Sequence, residues 1–238
     1  MIDYLINLDS EALLWLNSFH TQYLDRFMML FTGRFVWIPM YATLLYVFSR
    51  MFNPRQVLIL VIGIALAITL SDQTVASLLR PIFQRLRPAN LDNPLSALVQ
   101  VVDGYRGGRY GFPSCHGANS FALVAFTAWI IPRSRYIIFI TVWAIINCYT
   151  RNYLGVHYPG DILVGAIIGV AFGTLCAWGA CRVGSISLKM REKRSYQPLI
   201  GGSHGATSRI MVYDVTVITG IVTAIILAIA AAVQVYFS

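Results

Sequence analysis

Apolar residues come in long unbroken runs, and polar residues are gathered into the short stretches between them. A helix needs roughly 17–25 apolar residues to cross the hydrocarbon of a bilayer. Six segments fit that description or approach it: residues 27–49, 57–79, 120–132 (extended toward Pro113 by small uncharged residues), 136–150, 161–181 and 211–237. The third and fourth are short. Arg34 is placed near the end of the first, where a long side chain snorkels to the interface. Ahead of it, Leu13, Leu16, Phe19, Tyr23, Phe27 and Leu30 recur at spacings of three and four. That spacing predicts an amphipathic helix over residues 9–23, started by Asp9 or Ser10 and lying on the bilayer surface. Residues 183–209 are polar and rich in Gly and Ser, and read as a linker.

Composition agrees with the pattern. Of 238 residues, 57% are hydrophobic and only 12% charged, against about 25% charged in an average soluble protein. One aqueous core of this size cannot hide that much apolar surface. Aromatic content of 13% excludes disorder, and four Cys without a CxxC exclude a disulfide scaffold or zinc site. A net charge of +8 fits a membrane protein with basic cytoplasmic loops better than a nucleic-acid binder. The Met-Ile-Asp start has no basic region, so no cleavable signal peptide is expected. With six spans, one side holds Arg50, Arg55, Arg133, Arg135, Arg182, Lys189, Arg191, Lys193, Arg194 and Arg209. The other holds Arg26, Arg34, Arg80, Arg85, Arg87, Arg106, Arg109 and Arg151. Both Lys and the shorter loops place the first side in the cytoplasm, with residues 189–194 on the anionic inner leaflet.

On the opposite side three loops carry chemistry. They are Arg80-Pro81-Ile82-Phe83-Gln84-Arg85-Leu86-Arg87-Pro88, Gly111-Phe112-Pro113-Ser114-Cys115-His116-Gly117, and the stretch from Thr150 through Arg151 and His157 to Asp161. Arg stays protonated, and its planar fork matches phosphate oxygens, so several Arg at one depth argue for a dianionic phosphate. Ser114 begins a helix whose free amides favour an anion. Two His offer a nucleophile and a proton donor, and Asp161, four residues after His157, is suited to hold that imidazole in one tautomer. Asp161 also suits the N-cap of the fifth span. Carboxylates are too few for a two-metal site, so neither metal nor cofactor is expected.

These groups resemble the type-2 phosphatidic acid phosphatase (PAP2) family, whose pattern is K-x6-RP, then PSGH, then SR-x5-H-x3-D. The match runs in order from Arg80 to Asp161. Arg80 stands where Lys is usual, Cys115 where Gly is, and Thr150 where Ser is. The resemblance implies an all-α integral membrane protein of six transmembrane helices with a PAP2/haloperoxidase-like core. It implies that His157 attacks phosphorus to give a phosphohistidine, that His116 protonates the leaving oxygen and then activates water, and that Asp161 orients His157. Arg80, Arg87, Arg151 and Ser114, with amides near Cys115, would bind the phosphoryl oxygens. The expected division is 1–26 interfacial segment, 27–181 catalytic core, 182–210 basic cytoplasmic loop and 211–238 last helix.

The function so implied is hydrolysis of a lipid phosphate, the substrate arriving through the bilayer and the site facing the periplasm or exterior from the inner membrane. Family substrates include lipid A, undecaprenyl diphosphate, phosphatidylglycerol phosphate and phosphatidate. The loop over residues 90–111 is expected to shape the headgroup pocket, and Arg106 and Arg109 to contact headgroups or read a second phosphate. Arg85 falls outside the pattern and is read as a headgroup contact. His20 and His204 are read as surface residues, and Cys115 and Cys148 as more suited to packing than to a disulfide. Two alternatives remain: a lipid-to-lipid phosphotransferase with the same triad, and a transporter. The transporter fits less well, because charge sits at span ends and Asp72 alone lies inside one.

Overall fold

Side chains that cap helix ends decide where this chain bends, and the first bend divides the predicted amphipathic helix. In this computed structural model, which describes residues 2–33, 35–199 and 210–237, α1 runs Ile2–Asn17 and α2 runs Gln22–Phe31. Arg34, His204 and Arg209 lie outside the described residues. Asn17 is drawn off the helix: its amide donates to Tyr153 O at 2.6 Å and Gln100 O at 3.0 Å, and accepts from Gln100 N at 2.8 Å. Thr21 then N-caps α2 through Leu24 N at 3.1 Å. Asp9 does not start α1; it sits in its middle, turned toward the protein.

The predicted first span is also interrupted. α2 closes at Phe31, and α3 (Ile38–Met51) begins with Pro in its first turn, a residue suited to that position alone. Trp37 Nε1 donates to Phe31 O at 2.9 Å, supplying the partner that the last turn of α2 lacks. α4 (Pro54–Gln73) continues through a π-helical turn, Thr74–Leu79, into α5 (Arg80–Phe83), a rod over Pro54–Phe83. Then follow α6 (Cys115–Ile130), α7 (Ser134–Tyr153), α8 (Pro159–Val183), α9 (Leu188–Ser195) and α10 (Asp214–Tyr236). Among the described residues, Pro54–Phe83, Pro159–Val183 and Asp214–Tyr236 are long and apolar enough to cross a membrane.

The centre is the trio α4, α6 and α8, with α7 beside α6 and α10 against α2, α3 and α7. α6 and α8 approach closely because α8 carries Gly165, Gly169 and Gly173 in one row. A Cβ at any of them would strike the α6 backbone at Ser114, Ala118 or Ala122. The main core cluster includes Phe48, Phe126, Ile130, Tyr136 and Trp143.

The stretch read as a linker holds α9, and two basic residues of its 189–194 cluster do not face the leaflet. Arg191 donates to Trp129 O in the last turn of α6, and Arg194 to Met51 O, the last residue of α3, at 2.7 Å. Cations at helix C-termini satisfy free carbonyls and the negative dipole end together. Lys189 and Lys193 remain exposed.

Candidate active site

Three chain segments meet at the end of the bundle opposite α9. The C-terminal end of the α4–α5 rod brings Arg80, the loop after it brings Arg85 and Arg87, α6 starts at Ser114, and the α7–α8 turn brings Arg151, His157 and Asp161. The first turns of α6 and α8 are tied directly, Ser114 N donating to Asp161 O at 2.9 Å. Ser114 Oγ accepts from Gly117 N at 3.4 Å and so caps α6. The N-cap of α8 is Tyr158, not Asp161; the Asp161 carboxylate accepts the Tyr158 N–H at 3.0 Å from the third helical position.

His157 is 1% exposed and Asp161 fully buried. His157 Nδ1 faces Asp161 Oδ2 at 3.3 Å, and Asn152 Nδ2 holds the His157 carbonyl at 2.9 Å. With Nδ1–H turned to the carboxylate, the Nε2 lone pair is left for a substrate. Burial, and then the guanidinium groups of Arg87, Arg151 and Arg80, push the imidazole pKa well below its usual 6.5, so the ring is neutral. The same burial and crowding bring Arg87 down to about 10, still cationic near neutral pH.

Arg87 is held by Tyr110 O at 3.1 Å and Val156 O at 3.4 Å. Arg151 donates to Thr32 Oγ1 at 3.1 Å and Tyr105 Oη at 2.9 Å. Arg80 Nη2 donates to Pro113 O at 3.1 Å and to Cys115 Sγ at 3.2 Å. The Nε atoms of Arg80 and Arg151 are buried and have no partner among the described residues, which is a fit for an anion's oxygens. His116 is half-buried and lines a cavity of about 440 Å³ between α3, α4, α6 and α7. Below it the wall is apolar, formed by Trp37, Leu44, Phe48 and Ile64. Asp72, the lone carboxylate of the second span, takes a hydrogen bond from Asn119 Nδ2 at 3.0 Å.

All eight predicted site residues thus lie at one end of the bundle, in the three segments that meet there. Residues outside the motif pattern find partners of their own. Arg106 donates to Ala89 O at 2.7 Å and braces its own loop, while Arg109 is exposed and pairs with Asp92 at 3.4 Å. Arg85 is no headgroup contact; it bridges Asp161 and Asp9. His20 is mostly buried, 2.7 Å from Asp25 and stacked on Tyr153. All four cysteines are free thiols, in keeping with the reading of Cys115 and Cys148 as packing residues and not a disulfide. Sequence reasoning gave Asp9 only a helix-capping role, and gave no role to Gly111, where a Cβ would stand 3.0 Å from Asp161 Oδ2 and 3.4 Å from His157 Nδ1. A side chain there would crowd both members of the pair and Arg87. A lone Gly before an aromatic-proline pair gives no such signal in one sequence.

The sequence profile of the PAP2 superfamily matches residues 56–182. A lipid A 4'-phosphatase of Bacteroides thetaiotaomicron is 49% identical over 169 residues, 71% of this chain and 75% of that protein. An undecaprenyl-diphosphatase of Sulfolobus acidocaldarius is 30% identical over 149 residues, 60% and 63% of the two chains. The crystal structure of Aquifex aeolicus LpxE superposes with a TM-score of 0.53 at 27% identity, covering 70% of this chain and 92% of that one. With the profile spanning more than half the chain and carrying both histidine segments, this protein belongs to the PAP2 superfamily.

Proposed function

We propose that the chain is a multi-pass lipid phosphatase of the inner membrane that removes a phosphate from a lipid A-type headgroup at a site facing away from the cytoplasm. The observation that carries this reading is the buried His157 held against Asp161 beside the guanidinium groups of Arg80, Arg87 and Arg151, with His116 over an apolar cavity. Arg80, Arg87 and Arg151 bind the phosphoryl oxygens, with Ser114 and the first amides of α6. His157 Nε2 attacks phosphorus as the bond to the lipid oxygen breaks, and Asp161 stabilises the imidazolium charge. His116 gives its proton to the leaving oxygen. It then takes a proton from water, whose oxygen attacks phosphorus; the P–N bond breaks and inorganic phosphate leaves. The cavity below His116 suits an acyl chain entering from the bilayer. Residues 27–181 form the catalytic core, 1–26 the interfacial segment, 182–210 the cytoplasmic loop and 211–238 the last helix. Similarity to the Bacteroides enzyme, higher than to the undecaprenyl-diphosphatase, supports lipid A over a prenyl diphosphate.

The test is phosphate release by purified protein in detergent from lipid A, undecaprenyl diphosphate, phosphatidate and phosphatidylglycerol phosphate. Lipid A is expected to turn over fastest, and His157→Ala to lose activity by several orders of magnitude while remaining folded. Turnover retained by His157→Ala refutes the nucleophile. Label recovered in a second lipid rather than in solution would make the protein a phosphotransferase.

A further inference from the structure

The segment ahead of the first crossing helix reaches into the catalytic centre. Arg85 Nη1 donates to Asp161 Oδ1 at 2.9 Å, and its Nη2 to Asp9 Oδ2 at 2.8 Å. The guanidinium lies over the Tyr158 ring, 3.7 Å from its centroid. Asp9, from the middle of α1, also accepts the Gly160 N–H through Oδ1 at 2.7 Å, on the turn that opens α8. The order of contacts is therefore Asp9, Arg85, Asp161, His157.

We infer that Arg85 and Asp9 are positioning residues for this reaction, fixing the Asp161 carboxylate so that its second oxygen meets His157, and that α1 is thereby part of the active site. The inference rests on the reading of His157 as nucleophile. Both terminal nitrogens of Arg85 are committed to carboxylates, which leaves it poorly placed to bind phosphate itself. A carboxylate with one oxygen tied down cannot rotate, so the other oxygen keeps its aim at Nδ1. Arg85 is itself fixed, its fork anchored at both tips and stacked on Tyr158, and removing Asp9 releases one of those two tips. Asp9 also pins Gly160, one residue from Asp161, so α1 steadies both the side chain and the backbone of the orienting residue.

The experiment compares kcat, KM and thermal unfolding of Arg85→Gln, Asp9→Asn, Asp9→Glu and Asp161→Asn, with the double variant Arg85→Gln/Asp161→Asn, on the best lipid substrate. Loss of a partner that orients a catalytic ligand typically costs about 10–100-fold. Arg85→Gln is expected to lower kcat by about that factor with KM changed less than about threefold. Asp9→Asn is expected to lower kcat less, and Asp9→Glu to recover most of it. In the Asp161→Asn background, Arg85→Gln is expected to add almost nothing, because the two act as one unit. An unchanged kcat in Arg85→Gln, a loss confined to KM, or a full further loss in the double variant would overturn the inference. Should Arg85→Gln not fold, Asp9→Asn with unchanged kcat overturns it equally. His157→Ala in the same series separates the two questions: activity there sinks the nucleophile, whereas a dead His157→Ala beside a fully active Arg85→Gln sinks only the positioning role.

Discussion

Adding one methyl group at Gly117 would act directly on the seam that assembles the site. A Cβ there would stand 2.7 Å from Ile162 O, 3.3 Å from Ala166 N and 3.4 Å from Ile162 C. All three belong to the α8 backbone and none can rotate away. Ordinary contact begins near 3.4 Å, so the first turns of α6 and α8 must part by about 0.7 Å at this point. Ile162 follows Asp161, whose carbonyl accepts Ser114 N at 2.9 Å. Opened by that amount, the bond would reach about 3.6 Å and cease to be a hydrogen bond. Overpacking of this kind costs about 1–3 kcal/mol of stability. A misplacement of about 1 Å near reacting groups costs about 10²-fold in rate, so Gly117→Ala should lose between about 10- and 100-fold in kcat. Phosphate release and thermal unfolding in detergent read the two effects separately. Gly179, in α8, has nothing within 4 Å of its Cβ position, and Gly179→Ala should leave kcat unchanged and Tm no lower. If Gly117→Ala keeps kcat within about threefold of the parent, or Gly179→Ala falls equally, the seam does not hold the site as described.

Three other outcomes follow from the same geometry. The depressed pKa of His157 means its contribution to stability is present above the ordinary value of about 6.5 and is lost as pH falls toward the folded value; Tm should therefore fall on acidification from neutral pH, and fall less in His157→Asn. Arg191→Gln removes the cation that caps α6 at Trp129 O, which should destabilise by about 1–2 kcal/mol and lower Tm, with kcat per folded molecule unchanged. Chelation by EDTA should leave phosphate release unchanged, because guanidinium groups meet the charge of the substrate; loss restored by a divalent ion would contradict that.

The three long apolar helices and the segments that meet at the site were legible in the sequence because both are local signals: unbroken apolar runs, and short motifs at helix ends. What the sequence concealed depends on contacts between distant residues. The continuous pattern through residues 27–49 shows no break, since Trp37 and Phe31 cap the bend by a contact that hydropathy does not carry. α9 was masked by its own polarity, its arginines being used on carbonyls of α3 and α6. Arg85 is 76 residues from Asp161, and Asp9 is 151 from Gly160. Only the fold makes them neighbours. Arg106, expected at a headgroup or a second phosphate, commits one donor to a carbonyl of its own loop 17 residues away, a contact that the sequence pattern does not signal.

The charge arrangement links binding to nucleophilicity. The side-chain hydrogen bonds of Arg80, Arg87 and Arg151 go to carbonyls, hydroxyls and a thiol, and among the described residues none goes to a carboxylate. The one buried carboxylate beside them, Asp161, is already paired with Arg85. Positive charge is therefore left in excess around His157, and adds to its burial in favouring the neutral ring. A nucleophilic imidazole must be neutral before attack and cationic after it. Burial first, and the guanidinium groups with it, favour the first state. A phosphate dianion resting on them offsets their charge, and with Asp161 at Nδ1 the imidazolium then becomes tolerable. A proton and a phosphate dianion thus meet the same field in opposite senses, so the groups proposed to bind the substrate also help burial to keep the nucleophile unprotonated until the substrate arrives.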